Sequence, residues 1–317
     1  VTERAVTPEV LVRAPGKINL SLTVGRPQPD GYHPLATVFQ AVSLVEEVTA
    51  TAAEGFGLSV EGLHADRVPT DDSNLALRAA RRLAEHVGIT DGVHLHVRKG
   101  VPVAGGMAGG SADAAAALLA CDTLWRTGLG RDELGELAAT LGADVPFALL
   151  GHTAVGRGRG DLLTPALSRG EYHWALALQD RGLSTPEVFR AFDELLGGVD
   201  VEPEADRGLL QALSSGDAEA VGAALSNDLQ VAALELAPHL AETLAVAEDA
   251  GALGVVVSGS GPTVAALARS RQHATAIAAA ITAAGVADGV LTASGPVPGA
   301  RVVVGERPGR PTAGDRL

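Results

Sequence analysis

The chain has 317 residues, enough for about two domains at roughly 100–200 residues each. Its 24 basic and 38 acidic residues give a formal charge of −14, which excludes the basic footprint that a nucleic-acid partner needs. No apolar run approaches the ~20 residues of a membrane span, the first residues lack a signal-peptide core, and the lone Cys121 excludes an intramolecular disulfide framework. A cytoplasmic protein without membrane contact is expected, as a monomer or weak homodimer.

Residues 17–24 alternate Ile18, Leu20, Leu22 and Val24 with Lys17, Asn19, Ser21 and Thr23, the period of a strand with one buried face. That pattern puts Lys17 and Asn19 together on the polar face. Residues 25–31 read as a turn, 38–48 and 56–60 as strands. Asp72-Ser73 before Leu75, Ala79, Leu83 and Val87, with Gly88 behind, reads as a capped amphipathic helix. A short strand over 93–97 leads through a glycine-rich segment to a helix over 112–125. Helices follow over 131–141 and from Asp144 to Leu150, then a strand near Thr153 and a loop at 156–160. The second half opens with a strand over 172–178 and a helix from Thr185-Pro186 to Leu195. More helices cross 204–250, and a strand over 255–257 enters Ser258-Gly-Ser-Gly-Pro262. A strand, a helix and two weak strands close the pattern, and residues 305–317 read as a flexible tail. Periodicity leaves α/β and α+β both open.

Only Lys17 and Lys99 are lysines; arginine takes every other basic position. A retained lysine can serve as the compact point charge that a guanidinium cannot be, or can survive by chance. The segment Gly105 to Gly110, entering a helix at Ser111, is the strongest local signal. Glycines let backbone amides approach an anion, and a helix N-terminus adds open donors, although a tight structural turn has the same composition. Neither a Walker motif nor a G-x-G-x-x-G fingerprint is present. His94 and His96 share a strand face but lack companion ligands, so no protein-held metal is expected. Cys121 reads as a buried thiol. Asp144 is either a helix cap or a carboxylate held as a general base.

Three segments together resemble the GHMP small-molecule kinases. Ala14-Pro-Gly-Lys-Ile-Asn-Leu20, continuing to Asp30-Gly-Tyr-His33, is similar to their first motif. Pro102-Val-Ala-Gly-Gly-Met-Ala-Gly-Gly-Ser111 is similar to their second, and Ser258-Gly-Ser-Gly-Pro-Thr263 to their third. The resemblance covers about residues 10–300. It implies an α+β, two-domain fold with an interdomain active-site cleft, divided as residues 1–165 and 166–304. It also implies ATP as phosphoryl donor, with Mg2+ carried by the ATP. The segments Asp30-Gly-Tyr-His33 and Leu141-Gly-Ala-Asp-Val-Pro-Phe147 are similar to the branch whose acceptor is 4-diphosphocytidyl-2-C-methyl-D-erythritol. Other GHMP kinases, acting on mevalonate, homoserine or a sugar, are the nearest alternative. A non-catalytic sensor on the same fold is another, disfavoured because Lys17 and Asp144 are both present.

Residue by residue, the resemblance makes Lys17 and Asp144 the catalytic pair. Pro102, Val103, Ala104, Gly105, Gly106, Met107, Ala108, Gly109, Gly110, Ser111 and Ala112 form the ATP loop. Tyr32, His33 and Phe189 line the cytidine side of the acceptor pocket, Thr185 is a further substrate-binding residue, and Asn19 lies beside the methylerythritol unit. The chain departs from the family pattern at Met107, Ala108 and Ala112. The last leaves Ser111 as the only hydroxyl at that helix start.

Overall fold

Strand β1 (Glu9–Val24) outruns its alternating stretch because both of its faces are covered. Lys17, Asn19 and Ser21, expected on a wet face, are as buried as Ile18, Leu20 and Leu22. The computed structural model describes residues 8–103, 105–196 and 202–303. Ala104 and the expected tail at 305–317 lie outside the described residues.

β2 (Leu35–Ala53) pairs antiparallel with β1 along nearly its whole length. Then come β3 (Gly57–Gly62), α1 (Leu75–Val87) and β4 (Gly92–Lys99), with β4 seated between β2 and β3. α1 is capped by Asn74, whose Oδ1 accepts from the Ala76 amide, rather than by Asp72 or Ser73. α2 (Gly109–Trp125) starts inside the glycine segment and carries the buried run Ala114 to Ala117. Those small side chains let it pack against Val12, Val48, Leu83 and Leu95 in one aliphatic core. α3 (Arg131–Leu141) and α4 (Val145–Leu150) complete that layer. The hairpin of β5 (Thr153–Gly158) and β6 (Leu162–Pro165) extends β2, so the expected loop at 156–160 is partly strand. β6 is too short to announce itself by periodicity.

The second half contains β7 (Tyr172–Leu178), α5 (Thr185–Leu196), α6 (Arg207–Ser215), α7 (Ala218–Ala223), β8 (Ser226–Asn227) and α8 (Gln230–Leu236). It continues through α9 (Leu240–Asp249), β9 (Gly254–Val257), β10 (Val264–Ala268), α10 (Arg271–Ala284), β11 (Gly289–Gly295) and β12 (Arg301–Val302). β11, β7, β10 and β9 form a separate antiparallel sheet in that order. Ile18 and Leu20 of β1 share a core with Trp174 and Leu176 of β7, which joins the halves behind the cleft. Two strands of the second half belong to the first sheet. β8 pairs in parallel with Ser21 and Leu22, and β12 pairs antiparallel with Val12 and Arg13. The architecture is α+β.

Candidate active site

The β1–β2 register slips between Pro15 and Lys17 and again between Asn19 and Ser21. Such irregularities re-aim side chains, and these two bracket Lys17 and Asn19. The Lys17 ammonium donates to Asn19 Oδ1 at 2.7 Å and to the Gly106 carbonyl at 2.8 Å. It stands 4.0 Å from Asp144 Oδ2 and 5.7 Å from the centre of the Phe39 ring. Burial holds its pKa below the ordinary lysine value, partly offset by the Asp144 carboxylate.

Asp144 occupies the position before α4, yet its side chain makes no capping bond. Pro146, in the first turn, has no N–H to satisfy, which reduces the need for one. The carboxylate remains one-third exposed and turned to Lys17, so the helix-cap alternative is not the arrangement found.

The glycine segment folds against the third motif. Gly106 has φ +73°, and a Cβ there would lie 2.2 Å from the Ser258 carbonyl, so only glycine fits. Ala108, at φ +58°, precedes α2 in the left-handed region without capping it. The first helical bond runs from the Ala112 amide to the Ala108 carbonyl, leaving the amides of Gly109, Gly110 and Ser111 as the helix's open donors. A Cβ on Gly110 would meet nothing within 4 Å. Met107 and Ala112 turn their side chains into the core and face the site through backbone alone.

A cleft of about 1010 Å³ is lined by Asn19, Tyr32, His33, Thr37, Asp144, Thr185 and Phe189. The His33 ring N–H donates to Asp193 at 2.8 Å, and the ring lies 4.9 Å from that of Phe189. Tyr32 is half-exposed. The Arg159 guanidinium sits 3.8 Å over its ring and pairs with Asp30 at 3.1 Å. Thr185 opens α5 and its hydroxyl meets that of Ser260 at 2.9 Å, linking α5 to the third motif.

Two family patterns match this chain: the GHMP kinases N terminal domain over residues 74–152 and the GHMP kinases C terminal over residues 209–287. The chain is 55% identical over 302 residues to 4-diphosphocytidyl-2-C-methyl-D-erythritol kinase of Thermobifida fusca, covering 93% of this chain and 98% of that one. It is 54% identical over 296 residues to the enzyme of the same name from Streptomyces coelicolor, covering 93% and 99%. The chain belongs to the GHMP kinases.

A crystal structure of 4-(cytidine 5'-diphospho)-2C-methyl-D-erythritol kinase superposes on this GHMP kinase with a TM-score of 0.74 at 34% identity, over 90% of this chain and 98% of that one. Homoserine kinase from Cytophaga hutchinsonii, at 20% identity and a TM-score of 0.73, shares the fold over 96% of this chain and all of its own.

A second cavity, of about 250 Å³, opens on the other side of the glycine segment of this GHMP kinase. Pro102, Val103, Gly109, Gly110, Lys99 and Asp113 line it. The loop therefore has Gly106 and Ala108 on the cleft and Gly109 and Gly110 on the second cavity. Beside it lies a buried charge cluster that motif reading misses. Lys99 Nζ stands 2.6 Å from Glu46 Oε1 and 2.5 Å from Asp113 Oδ2, and Glu46 Oε2 accepts from the Gly100 amide at 2.9 Å. Burial, then the Asp113 charge, push the Glu46 carboxyl up to about 7 against the pull of Lys99. Burial likewise raises Asp113, while its two carboxylate neighbours hold Lys99 above its ordinary value despite burial. The rarity of lysine was the available signal for Lys99. Nothing in the local pattern marked Thr37 or Phe39.

Cys121 is fully buried in α2, and burial raises its thiol far above the ordinary range, so it is no nucleophile. His94 and His96 share the Ser59 hydroxyl at 3.0 and 2.9 Å.

Proposed function

We infer that this kinase transfers the γ-phosphoryl group of ATP to the 2-hydroxyl of 4-diphosphocytidyl-2-C-methyl-D-erythritol, giving the 2-phosphate and ADP, within the non-mevalonate route to isoprenoid precursors. One observation carries the reading. A chain that matches kinases of that name at 55% identity over almost its full length also sets Lys17 and Asp144 4.0 Å apart beside the glycine loop.

Phosphoryl transfer leaves a protein chiefly positioning and charge stabilisation to perform. The open amides of Gly109, Gly110 and Ser111 cradle ATP phosphate oxygens at the positive end of α2. Asp144 takes the proton of the acceptor hydroxyl as the phosphoryl group arrives. Lys17 faces that carboxylate and contacts the transferring group. Tyr32 and Phe189 stack on the pyrimidine, with His33 held for it by Asp193 and Asn19 beside the methylerythritol unit.

Magnesium fits as an ion carried on the nucleotide. Among the described residues there is no group of three His, Cys, Asp or Glu placed to hold a metal, and Asp113 is engaged by Lys99. The Ser111 hydroxyl would meet the ion, which when bound neutralises phosphate charge. A division near residue 165 accords with the two family matches, which end at 152 and begin at 209.

A coupled ADP-release assay tests the reaction with 4-diphosphocytidyl-2-C-methyl-D-erythritol, mevalonate and homoserine in parallel. ADP release is expected with the first alone. Turnover of either of the others in its place overturns the reading.

A further inference from the structure

We propose that Thr37 is a positioning residue for phosphoryl transfer: its hydroxyl fixes the Asn19 amide, which leaves Lys17 with one N–H free for Asp144 and the incoming phosphoryl group. The proposal rests on the cleft being the kinase site inferred above.

An ammonium has three donors. Lys17 spends one on Asn19 Oδ1 and one on the Gly106 carbonyl, and the third is left on the side of Asp144, whose Oδ2 at 4.0 Å is beyond hydrogen-bond reach. This allocation holds only while Asn19 presents its oxygen. An amide can turn over and offer its NH2 instead, setting two donors face to face. Thr37 forbids that. Its hydroxyl gives its one proton to the Ser21 carbonyl at 2.7 Å and can therefore only accept from Asn19, which it does from Nδ2 at 2.8 Å. Donation runs one way, from Lys17 to Asn19 to Thr37 to the β1 backbone. Thr37 and Asn19 are 1% and 3% exposed, so water cannot readily replace a missing link.

Among the described residues, Asp144 at the start of α4 is the charged group that faces Lys17. From β1, β2 and the two glycine segments come uncharged neighbours: Asn19, the Phe39 ring, the Gly106 carbonyl and the Gly259 backbone. Release of Asn19 removes an acceptor that favours the charged amine, so the alkaline limb of the kcat profile moves to lower pH.

Thr37→Val keeps the shape and removes the hydroxyl. Its kcat is expected to fall about 10- to 100-fold, from one buried donor left unpaired, with KM for both substrates nearly unchanged. The alkaline limb shifts downward, and Thr37→Ser restores both rate and limb. A folded valine variant with wild-type kcat and profile overturns the proposal. So does a loss accounted for wholly by fewer active sites, with the limb in place. Should the valine variant not fold, Thr37→Ser and Thr37→Cys decide. The thiol is a weak donor and acceptor and loses rate while serine keeps it, and equal rates would overturn the relay. The wild-type rate on the methylerythritol acceptor, measured alongside, shows separately whether the reaction itself is present.

Discussion

Lys17 and Lys99 are the only lysines in the sequence, and both are almost wholly buried against carboxylates or carbonyls. Their retention fits a need for a small ammonium: at Lys99 two carboxylate oxygens lie within 2.6 Å of one nitrogen, closer packing than a planar guanidinium allows. Asp144 makes no cap bond, so its role separates cleanly from stability. Asp144→Asn is expected to lower single-turnover phosphoryl transfer by about 10²–10⁴-fold with its melting temperature unchanged. Near-normal transfer in the folded variant would remove Asp144 as base. The glycines of the loop divide in the same way. A Cβ at Gly109 would come within 2.9 Å of Glu46 Oε1 and 3.4 Å of Lys99 Nζ, so bulk there perturbs the buried cluster before it touches a nucleotide. Gly110 faces open space and isolates the binding effect. Gly110→Ala should hold or raise the melting temperature, since alanine favours helix by up to about 1 kcal/mol. ATP affinity should fall about tenfold or more, the worth of one charge-assisted hydrogen bond. Calorimetric titration with ATP, beside a thermal melt, reads both; unaltered ATP affinity would detach the helix start from phosphate binding.

At the scale of elements, α2 is anchored at its first turn by the Lys99 cluster, which carries one more negative than positive charge when fully ionised. Glu46, raised to about 7, binds its proton more tightly folded than unfolded. The folded chain thus holds more protons between its ordinary carboxyl range and pH 7, and stability falls as pH rises through that window. Glu46→Gln keeps an acceptor for the Gly100 amide and removes the surplus charge. Its melting temperature should vary less than the wild type's between pH 5 and 8, the removed pH-dependent stability being at most about 3 kcal/mol. Parallel melting curves across that range check it, and identical slopes would mean that Glu46 does not titrate there. The glycine segment and the strand carrying Lys17 were legible in sequence because their composition and alternation are local. The cluster was not, since Glu46, Lys99 and Asp113 come from β2, β4 and α2 and meet only through sheet pairing. Asn74 displaced Asp72 and Ser73 as the α1 cap for a similar reason, as three adjacent polar residues are equivalent until the chain's entry direction is set.

At the scale of the molecule, the cleft proposed to hold the acceptor joins the two halves of the chain, Tyr32 and His33 from the first and Phe189 from the second. Base–aromatic stacking is worth about 1–3 kcal/mol, so Phe189→Ala should raise the acceptor KM about tenfold while ATP binding is preserved. Steady-state kinetics with each substrate varied will show it, and an equal loss for ATP would make Phe189 a packing residue. The resemblance of three ordered motifs implied a cleft to which both halves contribute, but not how they are stitched. β1, which carries Lys17, is flanked by β2 on one side, while its other edge is finished by Ser226-Asn227 and by Arg301-Val302. Val12 and its partner Val302 lie about 290 residues apart, among the most distant pairings such a chain can make. On the ribosome, then, this strand is made with an unpaired edge and waits for the segments that finish it, about 200 and 290 residues further along. An open edge is a template for pairing with other chains. Strand β1, which bears Lys17, is thus open to mispairing along that edge until Ser226-Asn227 and Arg301-Val302 have been made.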